Sequence, residues 1–391
     1  MRIIADRNIP FAREAFRRFG DVDLVETGEM TPFVVRSADA ILVRSETAVD
    51  ASLLQESSVR FVGTATIGTD HIDTEYLQGR GIEFASAPGC NAESVVEYLA
   101  AALLTWGEAA GTSLREKTIG IVGVGNVGSR VVRVATTLGM RTLLCDPPLA
   151  RSTGDSRYRP LDALMDADIL SLHVPLTRGG SDPTYHLIDA DRLARMKAGA
   201  VVVNTARGAV VDTTALLEAL AGGRVGAAIL DVWEREPAID PRAVECAFLA
   251  TPHIAGYSLD GKVNAVRMLV DALARFTDED SSDPPNFPLP QPSAERIAPD
   301  VSPRPEQQLL YEIVTTCYDI RRDDGALRAI ASVREADRGS FFQKLRTSYP
   351  VRREFSATTV VLPPAQENLV RTLQGLGFRV DTPVRGSMRT P

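Results

Sequence analysis

The chain has 391 residues, 44% apolar and 24% charged, a balance that excludes wholesale disorder and leaves room for two or three domains. Acids outnumber bases 51 to 43, a formal charge of −8, which argues against nucleic-acid binding through a basic surface. No apolar run approaches the roughly 20 residues of a membrane helix, and MRIIADRNIP carries charges where a secretory signal is apolar, so neither membrane nor export is expected.

In chain order, MRIIAD, AILVRS and FVGTAT predict strands in a first module, residues 1–90. NAESVVEYLAAALLTW predicts a long helix with Asn91 as its N-cap. TIGIVGVG, RTLLCDP, ADILSLHVP, AVVVNTA and GAAILDV then read as strands, with helical stretches between most of them, in a second module over residues 91–255. This alternation predicts an α/β fold with two doubly wound, Rossmann-like parallel-sheet domains. Eight of the 24 prolines fall between Pro284 and Pro305, so residues 284–305 are expected to be an extended linker. Behind it, QLLYEIVTTCYDI has helical spacing, TTVVLP reads as a strand and QENLVRTLQGLGF as a helix. Residues 306–391 are therefore expected to form a small α+β C-terminal domain. The cysteines, Cys90, Cys145, Cys246 and Cys317, form no CxxC; no metal site or disulfide framework is expected, and a reducing cytoplasm fits.

TIGIVGVGNVGSRVV places Gly123, Gly125 and Gly128 after a strand and at the mouth of a helix. Gly123 permits the tight turn, Gly125 lets a pyrophosphate approach the backbone, and Gly128 lets helix and strand pack closely. The N–H groups of Asn126 and Val127 then face the phosphates at the positive end of the helix. The next strand ends at Asp146, 18 positions after Gly128. A carboxylate there accepts hydrogen bonds from a ribose diol and repels a 2′-phosphate, which favours NAD over NADP. The alternative reading is that Asp146 merely starts the turn before Pro147-Pro148.

Three polar residues follow strand-like segments: Arg207 in VVVNTARGAVVD, Glu236 in ILDVWEREP and His253 in LATPHIAGYS. The carboxyl ends of parallel strands line one crevice, so residues distant in sequence can meet there. The trio suits oxidation of a 2-hydroxy acid. An arginine fork grips a carboxylate or keto oxygen, a histidine accepts the hydroxyl proton as hydride leaves, and a glutamate beside it favours the imidazolium. The other histidines fit structural positions better: His71 at a turn, His173 at the end of a buried strand, His186 in a loop.

The ordered set GVGNVG, HVPLT, NTARGAVVD, LDVWEREP and TPHIAG resembles the D-isomer-specific 2-hydroxyacid dehydrogenases over about residues 60–270. The resemblance implies Arg207, Glu236 and His253 as the catalytic trio. It implies NAD contacts at Thr205, Ala206, Arg207 and Gly256, and Asp231 on the nicotinamide amide. It implies a backbone contact at Val174, where relatives can carry a threonine. It also makes residues 256–283 a return segment of the substrate domain begun by residues 1–90. VRSETAVDASLL, GTATIGTDHIDTEYLQGRGI, PGCNAESVVEYLAAALL and the tail segment FFQKLRTSYPVRREF resemble a branch of that family acting on a small phosphorylated 2-hydroxy acid in vitamin B6 synthesis. That branch forms homodimers through the tail. The carry-over gives Ser45, Thr66 and Tyr257 as substrate contacts.

A phosphorylated substrate needs cations beyond Arg207. Arg44 adjoins Ser45, and Lys344, Arg346, Arg352 and Arg353 crowd a basic stretch of an acidic chain. Arg346 is the expected phosphate ligand, in its own or a neighbouring subunit's site, although nothing in the sequence brings the tail to the site. The amphipathic tail helices offer apolar faces that a second copy could cover. Two other readings remain open here: a phosphoglycerate or other D-2-hydroxyacid dehydrogenase, and an NADH-sensing binding protein on the same fold.

Overall fold

A computed structural model describes residues 1–280, 286–364 and 366–383. The expected start of the linker at Pro284 lies outside the described residues. The chain divides into two compact units, Met1–Ala92 with Tyr257–Pro290, and Glu93–Gly256 with Gln291–Pro391.

The first unit holds five parallel strands, β1 (Arg2–Asp6), β2 (Asp21–Val25), β3 (Ala40–Val43), β4 (Phe61–Thr64) and β5 (Glu83–Ala85), in the order β2-β1-β3-β4-β5. Alternate residues of β1 face opposite sides, as the two-residue period requires. Ile3 and Ala5 join a core with Phe16, Leu42 and Phe61, while Ile4 joins another with Val35, Ile41 and Val62. The first core is closed by the helix Leu259–Thr277, which supplies Val263, Val266, Leu269 and Leu273. The strands that the sequence reading missed, β2 and β5, are the two sheet edges. An edge strand packs against one neighbour only, so DVDLV and EFA carry little continuous apolar signal.

The second unit contains the helix Ala92–Ala109 and a six-stranded parallel sheet. The helix starts where expected, but Asn91 does not cap it: its Oδ1 is buried without a hydrogen-bond partner. The strands are β6 (Thr118–Val122), β7 (Arg141–Cys145), β8 (Ile169–Leu172), β9 (Ala200–Asn204), β10 (Val225–Leu230) and β11 (Leu249–Ala250), in the order β11-β10-β9-β8-β6-β7. The chain order reverses between β6 and β8. That switch point opens a crevice at the strands' carboxyl ends, where this class of sheet binds ligands.

Residues from Gln291 onward belong to this same unit. They add a three-stranded parallel sheet, β12 (Arg296–Ile297), β13 (Thr359–Val361) and β14 (Arg379–Asp381), with helices Glu306–Cys317, Ile320–Arg328, Arg338–Thr347 and Glu367–Leu376. Leu327, Ile330 and Phe342 of this module share one core with Trp233, Val244 and Ala250. Arg328 donates to the carbonyls of Val244 (2.9 Å) and Ala247 (2.7 Å), and Asp324 accepts the Ala250 N–H (2.8 Å). The apolar faces of the tail helices, Leu309, Leu310, Ile313 and Val314 on one and Leu369, Leu373 and Leu376 on another, are buried within the chain itself. The expectation that they stand open for a second copy is thereby corrected: the unit they pack into is large enough to cover them. Among the described residues no helix is long and apolar enough to cross a membrane.

Candidate active site

The glycine loop leaves β6 directly at the switch point. Gly123 has φ 85°, and a Cβ on it would lie 2.6 Å from the His173 carbonyl oxygen and 2.8 Å from Val174 Cγ1. A Cβ on Gly128 would lie 1.9 Å from the Gly123 carbonyl oxygen, so helix and strand can approach only because both residues are glycine. On Gly125 a Cβ would meet nothing within 4 Å, which leaves that face of the backbone open to a phosphate. The helix Asn126–Thr137 begins there with no acidic residue in its first turn, so its positive end is not neutralised locally. Asp146 starts the turn before Pro147-Pro148 and also reaches the glycine loop. Oδ1 accepts the Leu149 N–H (3.0 Å) and caps the helix Pro147–Thr153, and Oδ2 accepts the Val124 N–H (2.7 Å) inside the glycine loop. Each carboxylate oxygen has a further lone pair for a ribose hydroxyl. The residues present therefore fit a dinucleotide.

Three further loops carry the polar trio. After β9, the Asn204 side chain donates to the Arg207 carbonyl (2.9 Å) and accepts the Ala206 N–H (3.1 Å), which fixes the Arg207 loop. Gly208 lies against the next loop so closely that a Cβ would sit 1.9 Å from the Trp233 carbonyl carbon. After β10, Glu236 Oε1 accepts the Trp233 N–H (2.9 Å), and Oε2 meets His253 Nδ1 at 2.7 Å. Burial pushes the Glu236 carboxyl up. The charge on His253, the hydrogen bonds from His253 and Trp233 and the charge on Arg346 outweigh burial and hold it below the ordinary carboxylate range.

After β11, His253 sits at φ 58°, a left-handed conformation that costs a non-glycine residue about 1–2 kcal/mol. Its loop is over-determined. Asp231 accepts the Thr251 hydroxyl (2.6 Å) and the N–H groups of Ile254 (2.8 Å) and Ala255 (2.9 Å). Trp233 Nε1 donates to the Thr251 carbonyl (2.9 Å), and the Tyr98 hydroxyl pairs with that of Thr251 (2.8 Å). Gly256 ends this loop. Thr205 Oγ1 lies 3.4 Å from His173 Nδ1, and Ser171 Oγ lies 2.8 Å from His173 Nε2. Burial pushes His173 down to about 3, so its imidazole is neutral.

The structure thus brings Glu236 and His253 into direct contact and sets the Arg207 loop against the Glu236 loop. It also brings in Arg346. The helix Arg338–Thr347 buries Phe342 beside Trp233 and Ile239, and the Arg346 charge reaches Glu236 of the same chain. In the first unit, Arg44 and Ser45 follow β3, and Arg44 lies 3.9 Å from Glu46. Thr66 bonds to Thr64 (2.8 Å), and Thr64 to His71 Nε2 (3.0 Å). Tyr257 lies under the Lys262 ammonium at 4.7 Å. Sequence reasoning missed Asn204, Trp233, Thr251 and Tyr98, which position the trio. Gly208 carried a usable signal, a glycine directly after the arginine, whereas Tyr98 lies mid-helix with none.

The glycine loop beside a histidine–carboxylate pair defines a dinucleotide-dependent dehydrogenase. A family model described as "D-isomer specific 2-hydroxyacid dehydrogenase, NAD binding domain" matches residues 100–255, and one for a domain of unknown function matches residues 289–377. The chain is 43% identical to erythronate-4-phosphate dehydrogenase of Edwardsiella ictaluri, over 97% of this chain and 100% of that protein. It is 45% identical to the enzyme of that name from Salinibacter ruber, over 97% and 99%. Among solved structures it resembles D-lactate dehydrogenase from Aquifex aeolicus, complexed with NAD and lactic acid, with TM-score 0.59 and 26% identity over 71% of this chain and 96% of that one. The chain belongs to the D-isomer-specific 2-hydroxyacid dehydrogenases and, within them, to the erythronate-4-phosphate dehydrogenase family. Its cofactor is NAD.

The neutral His173 makes a stability prediction. The unfolded chain takes up a proton at this residue below about pH 6.5, which the folded chain refuses until about pH 3. Stability is therefore lost as pH falls through that window, by up to about 1.4 kcal/mol per pH unit from this group. His173→Asn is expected to flatten the dependence of urea midpoint on pH between 6 and 4, relative to wild type; parallel curves would contradict the neutral assignment.

Proposed function

We propose that the protein oxidises 4-phospho-D-erythronate to 3-hydroxy-2-oxo-4-phosphooxybutanoate with NAD, a step towards pyridoxal phosphate. The observation that carries this reading is the 2.7 Å contact between His253 Nδ1 and Glu236, in a chain similar over nearly its whole length to enzymes named for that substrate. With Nδ1–H donated to Glu236, His253 Nε2 keeps its lone pair for the proton of the C2 hydroxyl. Glu236 is anionic and stabilises the imidazolium that forms. Arg207 grips the carboxylate in two places. NAD, when bound, accepts the hydride from C2. Gly123, Gly125, Gly128, Asn126 and Val127 hold its phosphates, Asp146 its ribose, and Val174, Thr205, Ala206, Asp231 and Gly256 the nicotinamide half. Ser45, Thr66 and Tyr257 are assigned to the substrate, and Arg44 and Arg346 to its phosphate. The described cysteines are free thiols, which suits a cytoplasmic location. Homodimerisation through residues 306–391 rests on the family resemblance, since the tail's apolar faces are already covered.

NADH formation by the purified protein tests the reaction. Erythronate 4-phosphate is expected to turn over well above 3-phosphoglycerate, and the reverse order would favour a phosphoglycerate dehydrogenase. His253→Ala is expected to lose about 10²–10⁴-fold in kcat while still binding NADH. Glu236→Gln is expected to lose less, with the acid limb of the pH–rate profile moved to lower pH, because the anion favouring imidazolium is gone.

For the phosphate, Arg346→Ala removes a charge-assisted contact of about 1.5–3 kcal/mol, and KM is expected to rise about 10- to 100-fold. An unchanged KM would remove Arg346 from the substrate site.

Sedimentation at micromolar concentration is expected to show a dimer, and a monomer there would refute the proposed assembly.

A further inference from the structure

We propose that Arg352, in the C-terminal module, is a positioning residue for His253, so that this module is a working part of its own subunit's catalytic loop. The inference rests on the reading of His253 as the base. Arg352 is 7% exposed. Its Nη2 donates to the Ala255 carbonyl at 2.6 Å and to the Ser94 carbonyl at 3.2 Å. The N–H of that same Ala255 is held by Asp231 at 2.9 Å. The stretch two residues beyond His253 is therefore gripped from both sides, by a carboxylate of the nucleotide-binding domain and by a guanidinium that the chain delivers about 100 residues later. His253 itself sits at φ 58°, a conformation that persists only when its surroundings hold it.

The chemistry of the contact argues for more than docking. The segment is already fastened to the helix Ala92–Ala109: Glu97 accepts the Phe355 N–H at 2.6 Å, and Ser94 Oγ donates to Glu354 at 3.0 Å. A buried guanidinium is costly, and a well-packed apolar side chain would dock a module as well or better. Here Nη2 alone is hydrogen-bonded, while Nε and Nη1 are buried without a hydrogen-bond partner in the chain. The guanidinium lies over the Tyr318 ring at 4.4 Å, and the hydroxyls of Tyr318 and Tyr349 both donate to Asp323, at 2.8 and 2.9 Å. What the charge supplies, and an apolar residue could not, is a donor for the Ala255 carbonyl.

The test is made in the full chain with Arg352→Met, Arg352→Lys, His253→Ala and Gln307→Ala. Gln307 is the control. It makes three bonds between the module and the nucleotide-binding domain, with the Leu114 N–H (2.8 Å), the Thr112 carbonyl (2.9 Å) and the Glu108 carboxylate (3.3 Å), none of them in the catalytic loops. Arg352→Met is expected to lower kcat about 10- to 100-fold, with KM and NADH Kd changed by less than about threefold, the split expected of a displaced base. Arg352→Lys is expected to recover part of the loss, and Gln307→Ala to retain wild-type kcat. Wild-type kcat in Arg352→Met overturns the proposal, as does an equal loss in Gln307→Ala, which would mark simple docking. Should Arg352→Met fail to fold, Arg352→Lys decides: a reduced kcat with unchanged NADH Kd supports the role, and wild-type kinetics refute it. Full turnover in His253→Ala would sink the base reading itself, whereas an inactive His253→Ala beside an unimpaired Arg352→Met sinks this inference alone.

Discussion

The carboxylate of Asp231 is the point on which the site depends. It stands just past β10, and its own N–H donates to the Asn204 carbonyl at 3.0 Å, at the end of β9. Its side chain takes three donors from the loop after β11. One residue thus ties together the loops that carry Arg207, Glu236 and His253. Burial pushes its carboxyl above the ordinary range, although the His253 charge, the Thr251 hydroxyl and the Ala255 and Ile254 N–H groups all pull the other way. A buried carboxylate is tolerated because every donor is supplied by fixed backbone or a fixed hydroxyl, and such a site needs little reorganisation when charge develops beside it.

Two of the chain's four histidines, His173 and His253, show how environment sets apart two uses of one side chain. His173 stands between Ser171 and Thr205, and burial pushes its imidazole down to about 3. His253 stands beside an anion in a half-buried loop. Of the two, only His253 has a charged partner, and it is the one proposed to carry the proton. The C-terminal module deepens this asymmetry. Its helix Arg338–Thr347 packs beside Trp233 and adds the Arg346 charge to those acting on Glu236. A chain that is acidic overall has gathered cations where an anionic substrate is expected.

The sequence by itself determined the two doubly wound sheets and the nucleotide loop, and it singled out Arg207, Glu236 and His253, the proposed catalytic trio. Those features are local. A period of two in a strand, a glycine where a Cβ would collide, and a polar residue just past a buried strand each leave a mark within a few residues. Asp146 was legible for the same reason, although its backbone contacts with Val124 and Leu149 were not. What only the tertiary structure decided is non-local. Neither periodicity nor spacing indicates that Tyr98 reaches Thr251, that Arg352 reaches Ala255, or that Gly208 abuts Trp233, since each pair is brought together by packing. The edge strands β2 and β5 were invisible because short strands carry too few apolar positions to stand out. The fate of the tail's apolar faces was undecidable from the sequence. An amphipathic helix announces that one face must be buried, and only the folded chain shows that these faces are buried within the same molecule.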